Sequence, residues 1–487
     1  MAKRVGVIDI GSNSVRMVIY EKTSRFAFHL LHEEKSKVRI SENAYEFDGV
    51  LQEIPMQRTI DALENFLSIS KSFKVRKLLC VATSALRDAP NKKEFLDKVK
   101  HSLKLNIKVI SGEKEAYYGG IACLNLLPKQ NAALTIDIGG GSTEFSFLDD
   151  MSQTFSLKLG TVRLKELFFD KGDIKGATAY IDKELLALPS FDVSTLVGIG
   201  GTLRAISSSI LKNSSYPLSK IHGYEYSVET LETLIEKILN AEADELSQLN
   251  IKNNRVDVIK PGSLILQRVL KMLAIKKIIT SGVGVREGVY LADLLRNSKH
   301  RFPHNYNTSV RYIIDSHIDD LAFSNNLSLL SKRIFDLISQ HLDIEPKYRS
   351  ELAIAAKLYP SGSSVHFYSQ NKHTYYLIQS ALEYGFTHSS ITLIATLTKY
   401  AKSRLPAQTH LNKYAQLLPE QSTTNALSYI LSLSITLLSH RPRNIDFELA
   451  FEDGVLSVKS KKKLYIAQNE VEKLECNNET LRVEFNS

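Results

Sequence analysis

VGVIDIGSNSVRMVIY, residues 5–20, reads as an apolar β-branched run, an Asp-Ile-Gly-Ser-Asn-Ser turn and a second β-branched run. Runs of this kind broken by Gly, Ser and Asn are strand and turn signals. The stretch therefore predicts a β-hairpin with Asp9 at its base and Gly11, Ser12, Asn13 and Ser14 at its tip. The pattern returns as ALTIDIGGGSTEFSF, residues 133–147, with Asp137 standing 128 residues after Asp9. Its tip is Gly139, Gly140, Gly141, Ser142 and Thr143. Two matched hairpins at domain spacing predict a duplication, with two similar lobes facing a cleft.

Further runs, KLLCVAT (77–83), KVI (108–110), TLVGIG (195–200) and KIITSGV (277–283), alternate with helical patterns over the first 300 residues. That alternation is the α/β signature. From His304 to His440 the patterns are almost only helical. Beyond Pro442, FELAFEDGVLSVK places Asp-Gly between two alternating runs, a hairpin signal. At about 150 residues per domain, a chain of 487 residues makes three or four domains.

Hydrophobic residues are 43% and charged residues 24%, enough for packed cores and against a disordered chain. Cys80, Cys123 and Cys476 are odd in number and far apart, so neither a disulfide framework nor a zinc spacing is present. The formal charge of +9 suits a polyanionic partner, although a solvated surface explains the same excess. Lys3 and Arg4 precede an apolar run, but Asp9, Ser12, Asn13 and Ser14 exclude a signal-peptide core. The uncharged stretch 421–439 carries eight Ser or Thr residues and reads as a buried helix, not a membrane span. A soluble cytoplasmic protein is expected.

The tips suggest chemistry. Small residues let the backbone approach a ligand, and successive N–H groups in a tight turn form an anion-binding concavity. Ser12, Asn13, Ser14, Ser142 and Thr143 add side-chain donors. Asp9 and Asp137 would repel a phosphate unless a divalent cation or an oriented water stood between. A tight turn capped by Asp explains one such hairpin; the matching pair favours phosphate with a cation. A third motif, Gly198-Ile-Gly200-Gly201-Thr202, precedes a helical stretch. It serves either as a plain helix start or as a second anion contact at a helix N-terminus. There is no GxGxxG helix in the first βαβ unit and no GxxxxGK[ST] loop, which removes two common nucleotide-binding readings.

IDIGSNSVR (8–16), TSALRDAPN (83–91), ISGEKEA (110–116), IDIGGGSTE (136–144), SLKLGTVRLKE (156–166), GIGGT (198–202), IKPGSLIL (259–266) and SGVGVREG (281–288) occur in this order. The set resembles the exopolyphosphatase/guanosine pentaphosphate phosphohydrolase family, of the actin-like, sugar-kinase-like ATPase superfamily. The resemblance implies two duplicated actin-like, ribonuclease H-like α/β lobes around a cleft, at 1–128 and 129–302. A helical HD-like module at 303–441 and a small β-containing segment at 442–487 would follow. It implies hydrolysis of a terminal phosphate from polyphosphate or guanosine pentaphosphate, dependent on Mg²⁺ or on Mn²⁺ in its place. By motif, Glu115 falls on the general base, with Glu113 as alternative and Lys114 where many members carry Glu. Asp137 and Glu144 fall on metal-associated carboxylates, and Asp9 stands at the matching place in the first tip. Arg87 falls on the arginine that contacts the terminal phosphate; a surface pair with Asp88 is its plainer reading.

Where HD-type members carry metal ligands, this chain reads Tyr359-Pro360, so no second metal site is expected. His317, His341, His366, His373 and His388 form no HxxxH pair and are read as core or surface residues. By analogy with the family, the module dimerises or lines a basic channel. The run at Lys459, Lys461, Lys462 and Lys463 belongs to its rim or is a soluble turn. A polyphosphate or guanosine penta- or tetraphosphate ligand is expected, with a homodimer, and neither a membrane nor a specific nucleic acid. The competing classes are a kinase-like ATPase of the same superfamily and a non-catalytic sensor of these anions.

Overall fold

In the computed structural model, residues 3–402, 404–476, 478 and 480–486 are described. The chain forms two compact units, Met1–Tyr306 and Asn307–Ser487.

The first unit holds two sheets. One comprises β1 (Arg4–Ile10), β2 (Val15–Lys22), β3 (Phe28–Ser36), β4 (Lys77–Ala82) and β5 (Lys108–Val109), in the order β3-β2-β1-β4-β5. The other comprises β6 (Ala133–Ile138), β7 (Thr143–Phe147), β8 (Thr154–Leu157), β9 (Thr195–Ile199), β10 (Tyr224–Ser227) and β11 (Lys277–Thr280). Its order is β10-β11-β9-β6-β7-β8. In both, the first three strands are an antiparallel meander, and the first strand of that meander pairs in parallel with the strand that follows the meander in sequence. β1 thus corresponds to β6, β2 to β7 and β4 to β9. The expected duplication is present, with β10 an added antiparallel edge.

Both hairpins close in the same way. Gly11 N–H donates to Ser14 O at 3.1 Å, and Gly139 N–H donates to Ser142 O at 2.9 Å. The register sets Asp9 opposite Arg16 and Asp137 opposite Glu144. The two tips touch: a Cβ on Gly140 would meet the Ser12 Cβ at 2.8 Å, so only glycine lets them approach this closely.

Each lobe has its own core. Ile8, Ile10, Met17, Leu63 and Phe95 anchor the first, and Ile136, Phe145, Leu196, Ile206 and Ile265 the second. The helix Gly112–Leu126 follows the first sheet in sequence but packs on β7 and β8 of the second. This helix, which precedes the expected 128/129 division, thus packs with the second sheet. Gly119 and Gly120 bring this helix against Ile199, Ser146 and Met151, a contact that no local pattern announces.

In the second unit, helices including Leu321–Ile338, His388–Tyr400 and Gln421–Leu437 share one core. The 421–437 stretch is a buried helix, as its Ser and Thr content predicts. The Asp453-Gly454 turn joins β12 (Phe447–Glu452) to β13 (Val455–Ser460), and β14 (Arg482–Asn486) pairs in parallel with β13. Phe447, Leu456 and Val458 enter the helical core, so this sheet completes the helical unit instead of standing apart. Tyr359 and Pro360 are buried in a 3-10 turn. His317 faces Ser364, His341 faces Thr480 and His388 is buried. Among the described residues no group of three or more His, Cys, Asp or Glu is placed to hold a metal. No described helix is long and apolar enough to cross a membrane.

Candidate active site

A cavity of about 150 Å³ opens between the lobes of the first unit. Gly11, Ser12, Asn13 and Ser14 of the first tip line it, with Gly139, Gly140 and Ser142 of the second. Gly200, Gly201 and Thr202, the first turn of the helix Gly200–Asn213, close a third side. This arrangement needs glycine at 200, where φ is +78° and a Cβ would collide with the Asp137 carboxylate.

Glu115 enters from the first turn of the helix Gly112–Leu126, whose Ser111 side chain accepts the Lys114 N–H at 3.2 Å. It is 9% exposed and lines the cavity. Glu113 points to solvent, and the Lys114 ammonium sits over the Tyr117 ring at 4.3 Å. Of the acids in this turn, only Glu115 faces the site. Arg87, at the end of the short helix Ser84–Asp88, donates to Glu115 at 2.9 Å, to Ser142 Oγ at 3.2 Å and to Ile110 O at 3.3 Å. The Asp88 pair is longer, at 3.9 Å.

Glu144 stands outside the cavity lining. It is 3% exposed, accepts from Ser156 Oγ at 2.8 Å and lies 3.8 Å from Arg87. Burial, and then the neighbouring Glu144, raise the Glu115 carboxyl well above its usual range, while Arg87 opposes them. Glu144 is raised too, again by burial first. Arg87 is thus the cation that lets two buried acids coexist. Gly141 also lies off the lining, packed under Ser12, Ser84 and Tyr45. Thr143 corrects an expectation: its hydroxyl donates to Leu159 O at 2.6 Å and is fully buried, so it is a core contact and not a phosphate donor.

Asp9 and Asp137 both face the cavity. Asp9 Oδ1 is buried without a hydrogen-bond partner. Burial pushes Asp137 up to about 6, although Arg204 opposes it. Two hard oxygen donors, one of them unsatisfied, match what Mg²⁺ takes from protein when phosphate and water complete its shell. Mn²⁺ accepts the same oxygen donors. Asp9 and Asp137 therefore fit a divalent cation, while Glu144 is turned away toward Ser156.

The strongest feature was not foreseen. Arg16, Arg204, Arg255 and Arg286 line the same cavity. Arg204 is held by Ser281 O at 2.8 Å and Val283 O at 3.1 Å, and Arg286 pairs with Glu33 at 2.6 Å. Burial and then the neighbouring guanidinium groups lower Arg16, Arg204 and Arg255. Such crowding is relieved by an anion. Three of the four had a local signal: Arg16, Arg204 and Arg286 each stand two residues past a glycine-bearing turn. Arg255 had none. Next to Arg16, across the β2–β3 pair, lies Lys35. Desolvation and then Arg16, Arg255 and Lys37 lower it to about 8. The lysine run 461–463 is exposed after β13.

Comparison with known proteins shows what the whole chain resembles. A model of the Ppx/GppA phosphatase family matches residues 18–297, and one of Ppx/GppA phosphatase, domain III, matches 307–481. The chain is 27% identical over 460 residues to the guanosine-5'-triphosphate,3'-diphosphate pyrophosphatase of Photobacterium profundum, covering 90% of this chain and 87% of that one. It is 32% identical over 297 residues to the bifunctional 3-dehydroquinate synthase/phosphatase of Fusobacterium nucleatum, covering 56% of this chain but only 44% of that longer protein. The solved exopolyphosphatase of Cytophaga hutchinsonii aligns with a TM-score of 0.55 at 25% identity, over 60% of this chain and 97% of that one.

Proposed function

The chain belongs to the Ppx/GppA phosphatase family and is a phosphohydrolase; from that premise we propose that it removes the terminal phosphate of inorganic polyphosphate or guanosine pentaphosphate. The observation that supports this most is a cavity walled by two glycine tips and four arginines, with one buried acid, Glu115, held by Arg87.

Hydrolysing a phosphoanhydride is mostly positioning and charge stabilisation. Tip amides and the hydroxyls of Ser12 and Ser142 would hold the terminal phosphate. Arg87 would contact its oxygens, and its fixed fork suits them. Glu115 would orient a water and take its proton as the water oxygen bonds to phosphorus and the bridging P–O bond breaks. Its raised affinity for protons brings it nearer to a base poised for neutral pH. Asp9 and Asp137 would hold Mg²⁺ or Mn²⁺. That ion, when bound, neutralises charge on the phosphate oxygens. Arg16, Arg204, Arg255 and Arg286 would take the phosphates behind the terminal one.

Phosphate release from long-chain polyphosphate, guanosine pentaphosphate and ATP, with Mg²⁺ and with chelator, tests this reading. Release from the first two, lost on chelation, is expected. Release from ATP alone would move the protein to the kinase-like class, and tight binding without release to the sensor class.

Lys35 gives a pH prediction. It is charged below about 8 and neutral above, so its attraction for a polyanion is present at lower pH and lost as pH rises through that value. kcat/KM on long polyphosphate should fall on that alkaline limb. Lys35→Arg, which stays charged, should remove the fall. An unchanged limb in that variant would exclude Lys35 from the anion track.

A further inference from the structure

Between β3 and the helix Glu53–Ser72 the first lobe sends out a segment, residues 37–52, whose one regular element is the 3-10 turn Tyr45–Phe47. It starts along the first tip: Arg39 N–H donates to Asn13 O at 3.0 Å and Ser41 N–H to Ser12 O at 3.3 Å. It then crosses to the second lobe. The buried carboxylate of Glu166 accepts the backbone N–H of Asn43 at 3.1 Å and of Tyr45 at 3.3 Å. Arg163 lies one turn earlier on the same helix, Thr161–Leu167. Its Nε donates to Gly141 O at 2.9 Å, and its second nitrogen donates to Asp88 at 2.7 Å. Its guanidinium covers the Tyr45 ring at 4.5 Å.

The Tyr45 hydroxyl is buried. It converges with Ser84 Oγ and Ser12 Oγ on the space that a Cβ of Gly141 would fill, so any side chain there would collide with the phenol. Tyr45 therefore packs behind the cavity wall made by Ser12, Ser84 and Ser142. One side chain, Arg163, touches the second tip, the residue next to Arg87 and the crossing segment together. None of Tyr45, Arg163 and Glu166 is used by the hydrolytic reading above.

We propose that residues 41–47 are a strap clasped by Glu166 and Arg163, and that the clasp seats Tyr45 as the back wall that holds the terminal-phosphate pocket and Arg87 in their working positions. The proposal rests on the cavity being that pocket. These are positioning residues: substrate meets the arginines and the tips, while the strap fixes where the second tip and Arg87 stand. Unclasping would thus act on turnover and much less on affinity, because misplacement of about 1 Å at reacting groups costs on the order of 10²-fold.

Glu166→Gln tests it, because the amide keeps the shape and loses the charge that draws two N–H groups. Hydrogen exchange of the peptide over 41–47 should quicken in this variant, while exchange over the helix Ile174–Leu185 stays as in the parent chain. On polyphosphate, kcat should fall about 10²-fold with KM within a few-fold. Tyr45→Ala, which gives up the Arg163 ring contact but leaves the Glu166 half of the clasp in place, should lower kcat in the same way without quickening exchange at Asn43. Unchanged exchange in Glu166→Gln, or quickened exchange with parental kcat, would overturn the strap. So would a change confined to KM. Should Glu166→Gln quicken exchange throughout the second lobe, Tyr45→Ala alone decides, and parental kcat in it refutes the proposal. Exchange needs no substrate, so a parent chain inert on polyphosphate would sink the assigned reaction and leave the clasp still measurable.

Discussion

Glu115→Gln is expected to lower turnover on polyphosphate or guanosine pentaphosphate by about 10²–10⁴-fold, the usual share of a positioned general base. KM should stay near the parental value, because the amide has the same shape and adds no repulsion toward an anion. The substitution also removes one of the two buried acids beside Arg87, so the fold should tolerate it. The parental rate should rise with pH as Glu115 loses its proton, and that limb starts above the ordinary carboxylate range because burial raises the group. In the Gln variant the limb should vanish with the rate. Single-turnover phosphate release across pH measures both, and ordinary turnover in this variant would place the base elsewhere.

Arg87→Ala is expected to lower kcat by about 10²–10³-fold, the range for removing one preorganised donor to developing charge. A second effect separates it from the first variant. Arg87 is the group that opposes the raised proton affinity of Glu115, so its loss should move the acid limb of the pH–rate profile to still higher pH. Arg87→Lys should restore the limb in part and the rate poorly. A point charge cannot reach Glu115 and Ser142 together as the guanidinium does at 2.9 and 3.2 Å. A pH profile that stays put in Arg87→Ala would show that this pair does not set the base.

The hairpins were legible because their signal is local: apolar runs, an acid, then glycine within a few residues. Glu115 was separated from Glu113 by motif, and the structure gives the reason, since one faces the cavity and the other solvent. Thr143 was misassigned through burial on both faces of β7, the strand that carries it. With the helix Gly112–Leu126 over one face, strand alternation no longer tells a cavity-facing residue from a core one. Glu144 follows Ser156 across the sheet for the same reason. The arginine ring was the largest omission. It is assembled from four distant places in the chain, and a sequence shows spacing along itself, not convergence. The packing of the helix Gly112–Leu126 on the second sheet was not legible either, because it is made through two glycines that carry no directional mark.

The paired strands set Asp9 against Arg16 in one lobe and Asp137 against Glu144 in the other. The two hairpins thus differ in the charge that faces the matching aspartate. A linear phosphate polymer reads the same from either end, so it carries no sense of direction of its own. Under the proposed reading such a guest takes its orientation from the protein, whose cavity carries four arginines for the trailing phosphates and Glu115, held by Arg87, for the terminal one.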